Sequence, residues 1–262
     1  MPWWMKEVLQ FVINYTYGIF PRPRPSEEKI KKVKLACHRG WHDNKEIMEN
    51  SIESFERALQ NGVWGIEFDI RWTKDLTPVV HHDADCSRVW KKDIIIKDVT
   101  FEQLRKELPG IPSLEEVVSK YGKKLHFFIE IKEEKFPSPN EQRKKLEDIL
   151  APLSPIDDFY LICLLVAPLE VFNNFDLKAY LLVATTNSDE MSKLALRHNY
   201  GGLTGFWLLL DDDVLSHHRE AGQKVGTGFP CTVSVLKREI NRDIDWIFTN
   251  HPWKLLPFLK TQ

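Results

Sequence analysis

Two carboxylates, Glu67 and Asp69, stand two residues apart in an otherwise apolar segment, residues 65–70 of this 262-residue chain. If the segment is a strand, the alternation of side chains places both carboxylates on one face. At a separation of ~4 Å and an effective dielectric constant of roughly 20, their repulsion would cost about 4 kcal/mol. A bound cation would remove that cost, and carboxylate oxygens suit Ca²⁺ or Mg²⁺. The alternative is an edge strand that keeps both groups in water.

A third carboxylate, Glu130, lies near the end of a second apolar segment, residues 127–132. In a strand, Lys132 shares a face with Glu130 because it lies two residues further along. We predict that Glu130 is a third oxygen ligand and that Lys132 supplies positive charge to an anionic substrate. The alternative is a buried ion pair between these two side chains.

His38, Arg39 and Gly40 directly follow the apolar segment 34–37. A histidine can exchange protons near neutral pH. The planar guanidinium of an arginine offers two parallel donors to a phosphate or a carboxylate, and a glycine permits a sharp turn of the backbone. The alternative is a histidine at the end of a strand followed by a surface arginine.

Two adjacent histidines, His81 and His82, end a fourth apolar segment and precede Asp83. Adjacent side chains of a strand point to opposite faces, so only one of the two can serve a site. We predict that His82, beside Asp83, serves the site and that His81 is structural. A reaction that moves two protons needs two groups, and His38 and His82 could be that pair.

Short apolar segments that predict strands alternate with amphipathic segments that predict helices. The strand segments are residues 34–38, 65–70, 78–81, 125–131, 159–165, 179–184, 202–208, 223–227 and 246–249. The helix segments include residues 51–61, 140–150, 188–198, 211–221 and 232–240. Several strand segments are continuously apolar, which is typical of a parallel sheet buried on both faces. The alternation predicts an α/β fold.

Helix starts are predicted where a capping residue precedes Glu or Gln by three positions, and the three pairs are Asn50 with Glu53, Thr100 with Gln103, and Ser113 with Glu116. A (β/α) barrel of about 250 residues forms a single domain with eight strands, one fewer than the nine segments predicted here. Residues 71–77 are too short for a helical crossover. We therefore expect segments 65–70 and 78–81 to form a hairpin.

The composition excludes several classes of protein. Apolar residues make up 43% and charged residues 28%, a balance that argues against collagen-like, low-complexity and disordered chains. A net charge of −2 argues against nucleic-acid binding. The four cysteines lack zinc-site spacing and indicate no disulfide scaffold, so we predict a cytoplasmic protein. No apolar segment reaches the ~18 residues of a transmembrane helix.

Residues 1–20 are rich in aromatic and aliphatic side chains, whereas the basic start and small-residue cleavage site of a signal peptide are absent. Two alternatives stay open. One is an interfacial helix that makes peripheral membrane contact, supported by the Trp and Tyr content. The other is a helix that plugs one end of the core. The proline-rich residues 21–25 would end either helix and act as a stiff spacer.

Taken in order, these motifs resemble those of the glycerophosphodiester phosphodiesterase family. The likeness is specific over residues 38–132 and returns at the last strand. The matching positions are His38-Arg39-Gly40, Glu49-Asn50-Ser51, Phe55, Ala58, Gly62, Glu67-Phe68-Asp69, Thr73-Lys74-Asp75, Pro78-Val79-Val80, His82-Asp83, Arg88, residues 99–104, residues 111–117, Ile129-Glu130-Ile131-Lys132 and residues 247–252.

The resemblance implies a single (β/α)8 TIM barrel. To this α/β fold the sequence adds a small insertion after the strand that ends at His82 and Asp83, and an extra N-terminal helix. We therefore expect two parts: residues 1–25, a hydrophobic helix with a proline-rich spacer, and residues 26–262, the barrel catalytic domain.

The resemblance also implies a metal-dependent phosphodiesterase that hydrolyses glycerophosphodiesters to glycerol phosphate and an alcohol. Three carboxylates would hold one Ca²⁺ or Mg²⁺, two histidines would act as acid and base, and two cationic side chains would bind the phosphate. The three carboxylates are Glu67, Asp69 and Glu130. The two histidines are His38 and His82, and the two cationic residues are Arg39 and Lys132.

Two segments depart from the family pattern. Residues 226–230 replace a Trp-Thr-Val-Asn-like run, and residues 163–165 replace a Ser-Phe pair. Both segments line the mouth in relatives. The substrate therefore stays open between a soluble glycerophosphodiester and a lysophospholipid at a membrane, which the aromatic N-terminus and residues 207–210 would suit. A binding protein on an inactive barrel is the third alternative, but it gives no reason to keep three clustered carboxylates.

Overall fold

Eight parallel strands close into a barrel in the computed structural model, which describes residues 3–260. Expectations for residues 1, 2, 261 and 262 lie outside the described residues, and the division at residue 25 stays a prediction. The strands are β1 (Leu35–His38), β2 (Gly65–Trp72), β3 (Pro78–Val80), β4 (His126–Ile131), β5 (Phe159–Cys163), β6 (Tyr180–Ala184), β7 (Gly202–Phe206), β8 (Lys224–Gly228) and β9 (Trp246–Thr249).

Helices surround the barrel and fill most connections between its strands. They are α1 (Trp3–Gly18), α2 (Glu27–Lys31), α3 (Ile52–Gln60), α4 (Ser87–Trp90), α5 (Phe101–Glu107), α6 (Leu114–Tyr121), α7 (Pro139–Leu150), α8 (Val166–Val171), α9 (Ser188–Arg197), α10 (Asp212–Glu220), α11 (Val233–Asn241) and α12 (Pro252–Lys260). Ile96–Asp98 and Leu177–Ala179 form 3₁₀ helices.

The barrel closes where β1 pairs in parallel with both β2 and β9. The remaining parallel strands follow in chain order from β4 to β9. The exception is β3, which runs antiparallel to β2 with Val79 opposite Arg71. The TIM-barrel prediction is therefore confirmed, and so is the hairpin that absorbs the ninth strand segment.

The barrel strands are buried on both faces, which explains their continuously apolar sequences. One set of side chains, which includes Phe128, fills the barrel interior. The alternate set, which includes Ile66 and Phe68, packs in the layer between barrel and helices. Because neighbouring side chains of a strand point to opposite faces, Glu67 and Asp69 face the interior.

The predicted insertion follows β3 and contains α4, one 3₁₀ helix and α5. It has a small core of its own, in which Val79 of β3 packs with Cys86, Ile96, Leu104 and Ile111. This satellite core fixes the segment that directly follows His82 against the rim of the barrel.

Two predicted helix starts are confirmed, because Thr100 and Ser113 each cap a helix through a reciprocal capping box. The predicted start at Asn50 is wrong by one residue. Ser51 caps α3, and its hydroxyl accepts the backbone N–H of Ser54. Asn50 has a left-handed backbone with φ of 56°, which leaves its amide free for the site described below.

Two strands end two residues earlier than predicted. β5 ends at Cys163 because the chain turns into α8 three residues later, and β7 ends at Phe206 rather than at residue 208. The short helices α2, α4 and α8 and the last helix, α12, were not predicted. These differences lie outside the strand segments that carry the predicted site residues.

The N-terminal helix α1 contacts α11 and the loop that follows β8, at the carboxyl ends of the strands. Asn14 and Ile13 face the protein, whereas Val12 and Tyr15 are exposed, so one face of α1 packs on the barrel and the other faces outward. Within residues 3–260, no helix combines the length and the apolarity that crossing a membrane requires.

Candidate active site

Three buried carboxylates meet at the carboxyl ends of β2 and β4. Asp69 lies opposite Glu130 in the parallel register, and Glu67 precedes Asp69 by two residues on the same face. One oxygen of each carboxylate lies within 4.8 Å of one oxygen of each of the others. The predicted convergence therefore occurs. The edge-strand alternative is wrong, since β2 is an inner strand and Asp69 is completely buried.

The electrostatics of this cluster are unbalanced. Burial, followed by repulsion from Asp69 and Glu130, raises the pKa of Glu67 well above its usual value. Burial also disfavours ionised Asp69, but nearby cations, Lys132 foremost, outweigh it and hold the pKa of Asp69 well below its usual value. The raised pKa of Glu67 indicates that the protein's own cations compensate the cluster only in part.

Lys132 lies between two of the carboxylates. Its Nζ is 2.5 Å from Oε1 of Glu130 and 2.7 Å from Oδ1 of Asp69. The ion pair that the sequence left open as an alternative is therefore present, and Asp69 extends it. The same position puts the ammonium group next to any anion that enters the cluster.

The donor set fits a hard divalent cation. Its three members are all carboxylates, the ligands that Ca²⁺ and Mg²⁺ prefer over sulfur or nitrogen. A divalent cation would also supply the charge that the cluster lacks. Carboxylates do not by themselves distinguish between the two ions, because both bind oxygen.

His38 ends β1 beside the carboxylate cluster. Its Nε2 lies 3.7 Å from Oε2 of Glu67, and its Nδ1 lies 2.6 Å from Oδ1 of Asn250, which directly follows β9. Phe229 contacts the imidazole edge-on at 4.7 Å. Burial, together with the charge of Arg39, lowers the pKa of His38 well below its usual value.

His82 directly follows the hairpin strand, and Nδ1 of its ring lies 2.7 Å from Oδ1 of Asp83. The other oxygen of Asp83 accepts a hydrogen bond of 2.5 Å from Nε of Arg88, in α4 of the insertion. The backbone N–H of His81 donates to the carbonyl oxygen of Asp69, so the histidine pair adjoins the carboxylate cluster. His81 itself is buried with Nδ1 2.9 Å from the Asp83 carbonyl, which supports a structural role.

Arg39 joins the histidine and carboxylate groups. Its backbone has φ of 55°, and its N–H donates to Oε2 of Glu67 at 3.0 Å. Its guanidinium donates to Glu49 at 2.8 Å and lies 3.5 Å from Asp69. Both cationic residues predicted for phosphate binding, Arg39 and Lys132, therefore lie at the cluster.

Sequence reasoning assigned no part in the site to three residues that hold it together. Glu49 accepts hydrogen bonds from both Arg39 and Arg88, Asn50 donates to Asp69 at 2.9 Å, and Asn250 contacts His38. They belong to the motifs that matched by resemblance, which was the only signal that singled them out.

The sequence of this chain is similar to those of known proteins. The profile of the Glycerophosphoryl diester phosphodiesterase family matches residues 38–226. A glycerophosphodiester phosphodiesterase of Bacillus altitudinis is 34% identical over 130 residues, which cover 45% of this chain and 52% of that protein. The chain thus spans about half the length, or less, of the first curated relatives that it matches.

Solved structures share the fold. A glycerophosphodiester phosphodiesterase from Thermotoga maritima superposes with a TM-score of 0.72 and 23% identity, covering 88% of this chain and 98% of that one. A phosphodiesterase from Oleispira antarctica was solved in complex with the product sn-glycerol-3-phosphate. It superposes with a TM-score of 0.70 and 20% identity, covering 87% of this chain and 97% of that one. At these identities the likeness is one of fold.

Proposed function

The chain belongs to the glycerophosphoryl diester phosphodiesterase family, and from this premise we propose that it hydrolyses glycerophosphodiesters to glycerol phosphate and an alcohol. The convergence of Glu67, Asp69 and Glu130 beside His38 carries the proposal. The name of the Bacillus altitudinis relative and the product bound to the Oleispira antarctica phosphodiesterase support this substrate class.

Glu67, Asp69 and Glu130 would hold one divalent cation, Ca²⁺ or Mg²⁺. When bound, such a cation neutralises phosphate oxygens and makes phosphorus more electrophilic. The guanidinium of Arg39 and the ammonium group of Lys132 would bind the remaining phosphate oxygens, because both lie within 4 Å of the carboxylate cluster. They would also stabilise the charge that develops in the transition state.

His38 and His82 would transfer the two protons that hydrolysis requires. His38 is suited to act as the base, since its Nδ1 proton is donated to Asn250 and its Nε2 is left as an acceptor near Glu67. It would take a proton from water, or from the neighbouring glycerol hydroxyl, as oxygen bonds to phosphorus. His82 would then give a proton to the leaving alkoxide as its bond to phosphorus breaks.

The test of catalysis is the release of glycerol phosphate from glycerophosphocholine. We expect His38→Ala and His82→Ala each to lower kcat at least about a hundredfold, since general acid–base catalysis contributes that much or more. His217→Ala is the matched control, because His217 is exposed on α10 and should leave kcat unchanged. Near-normal turnover in both variants would contradict the proposed mechanism.

Metal binding can be tested without turnover, by thermal unfolding. Ca²⁺ or Mg²⁺ should stabilise the protein, by about 2.7 kcal/mol at a hundredfold excess over Kd, and a chelator should reverse the effect. Glu67→Gln should abolish this stabilisation, whereas the exposed-site control Glu115→Gln should retain it. An unfolding temperature that neither ion changes would argue against a resident cation.

The lysophospholipid alternative has one supporting observation. A cavity of about 510 Å³ joins His38 and Arg39 to apolar side chains that could accept an acyl chain, among them Phe11 and Trp253. We rank the lysophospholipid substrate second, because the relatives are named glycerophosphodiester phosphodiesterases. Release of headgroup from lysophosphatidylcholine faster than from glycerophosphocholine would reverse this order.

A further inference from the structure

Exposed apolar side chains are concentrated on α1 and the residues that follow it. Of fourteen large hydrophobic residues that are exposed within the described range, eight lie between residues 8 and 20. Val12 is 49% exposed, Tyr15 61% and Ile19 73%. Isolated exposed apolar residues are ordinary, but a contiguous group of this kind marks an interaction surface.

The exposed face of α1 is mainly apolar over residues 8–18. Val8, Val12 and Tyr15 follow one another at helical spacing along this face, with Phe11 beside them. Thr16 also lies on this face, but its hydroxyl donates to the backbone carbonyl oxygens of Val12 and Ile13 within the helix. No charged residue occurs between residues 8 and 20.

The buried face of the same helix carries its polar anchor. Asn14 is 1% exposed, and its amide donates to the carbonyl oxygen of Phe229 and accepts the N–H of Cys231. Tyr17 packs edge-on against Trp207 on the same side. A helix that covers a protein core in water buries its apolar face and exposes its polar face, whereas α1 buries the polar Asn14 and exposes apolar side chains. These contacts fix which face of α1 points outward.

Other exposed apolar residues follow the carboxyl ends of barrel strands, where the candidate site opens. Leu164 and Leu165 follow β5, Leu209 follows β7 and Trp253 follows β9. Val8 of α1 lines the same cavity as His38. The apolar surface of α1 is therefore continuous with the rim of the site.

A basic side chain borders this surface. Nζ of Lys254 lies 6.0 Å from the centre of the Phe11 ring, and Lys254 is exposed. An apolar surface with a basic border is complementary to a bilayer that contains anionic headgroups.

We propose that α1 docks the protein on an anionic phospholipid bilayer, with the mouth of the barrel turned toward the headgroups. Val12 and Tyr15 enter the interface, and Lys254 contacts lipid phosphates. The docking requires no catalytic activity. Only its consequence, access to phosphodiesters released at or held in the membrane, rests on the proposed function.

The experiment is co-sedimentation of the full chain with phosphatidylcholine vesicles, with and without phosphatidylglycerol. We expect binding that strengthens with phosphatidylglycerol and weakens with salt. The double variant Val12→Glu with Tyr15→Glu should lose at least tenfold in vesicle affinity, and Val12→Ser with Tyr15→Ser should lose less. Leu177→Glu is the matched control, because Leu177 is 48% exposed but lies at the amino end of β6, away from the site.

Circular dichroism and hydrolysis of soluble glycerophosphocholine separate docking from folding and from catalysis. Unchanged turnover in the glutamate variant, together with lost vesicle binding, supports the proposal. Vesicle binding that persists in that variant overturns it. Absence of vesicle binding by the unmodified chain, with a dimer in solution that the glutamate pair dissociates, also overturns it and assigns the surface to a second copy.

Discussion

The two imidazoles of the site are held by chemically different partners. Nδ1 of His38 lies against the amide oxygen of Asn250, whereas Nδ1 of His82 lies against a carboxylate oxygen of Asp83. An amide oxygen can only accept, so His38 donates from Nδ1 and keeps Nε2 unprotonated. A neutral amide does this without adding charge to a region that already contains three carboxylates.

Asn250 is therefore expected to act as a positioning residue for His38. Asn250→Ala should lower kcat by roughly tenfold or more with little change in KM, because the ring loses its fixed tautomer and orientation. Asn250→Asp should retain more activity than the alanine variant. It should also move the acidic limb of the pH–kcat profile to higher pH, because a carboxylate at Nδ1 stabilises protonated His38.

Asn140→Ala provides the control for this series, since Asn140 is exposed on α7. A purely structural role for Asn250 would leave the pH profile of the aspartate variant where it is in the unmodified protein. It would also lower the unfolding temperature in parallel with any loss of kcat.

Among single residues, the sequence predicts those site positions that depend only on the alternation of side chains along a strand. Glu67 and Asp69 could be placed on one face because only strand periodicity was needed, and Glu130 followed from the next parallel strand. Asn250 could not be linked to His38, because 212 residues separate them and only closure of the barrel brings β1 beside β9. The Glu49–Arg88 pair likewise depends on where the insertion folds.

Among the elements, the connection from β1 to α3 does most to shape the site. Arg39 and Asn50 both have left-handed backbones, and the N–H of Asn50 donates to the carbonyl oxygen of Arg39 at 2.9 Å. Between them, Gly40 turns the chain with φ of 81°. This tight connection aims the guanidinium of Arg39 at Asp69 and the amide of Asn50 at the same carboxylate.

Gly40→Ala should therefore destabilise the protein much more than Gly62→Ala. A Cβ at Gly40 would lie 2.8 Å from Cβ of Ser54 and 2.9 Å from Phe55, whereas one at Gly62 meets nothing within 4 Å. Both glycines have positive φ, so each variant bears the left-handed penalty of about 1 kcal/mol. Overpacking adds roughly 2 kcal/mol at Gly40 alone. Urea unfolding measures the difference, and equal losses would contradict the crowding argument.

The elements that the sequence predicts are those with strong local signals. Continuous apolar runs indicate the barrel strands, and capping boxes indicate the starts of α5 and α6. The six-residue α8 has no side-chain cap, so its helical form depends on packing against β5 rather than on its own sequence. The start of α3 was misjudged because Asn50, a good capping residue, is used by Asp69 instead.

For the whole molecule, the two ends of the barrel have separate tasks. Charged and titratable groups gather at the carboxyl ends of the strands, where the site lies. At the opposite end, His126 stacks on Trp64 with ring centres 4.3 Å apart, and its Nδ1 donates to the carbonyl oxygen of Asp157. These groups have no part in the proposed chemistry, so this end of the barrel serves stability.

His126 should make the stability of the barrel sensitive to acid. Burial lowers its pKa to about 4, below the value of about 6.5 expected in the unfolded chain. The contribution of neutral His126 to the free energy of unfolding is therefore complete above pH 6.5. It is lost as pH falls toward 4, because only the unfolded chain takes up the proton in this range. Between pH 7.5 and pH 5 the loss amounts to about 2 kcal/mol.

His126→Phe keeps an aromatic ring on Trp64 but removes the titration. The decrease in the free energy of unfolding between pH 7.5 and pH 5, measured with urea and a chelator present, should be smaller in this variant by about 2 kcal/mol. His217→Phe, at an exposed position, should show the same decrease as the unmodified protein. If the two variants lose equal stability on acidification, His126 is not buried in its neutral form, and the closed packing at this end of the barrel is wrong.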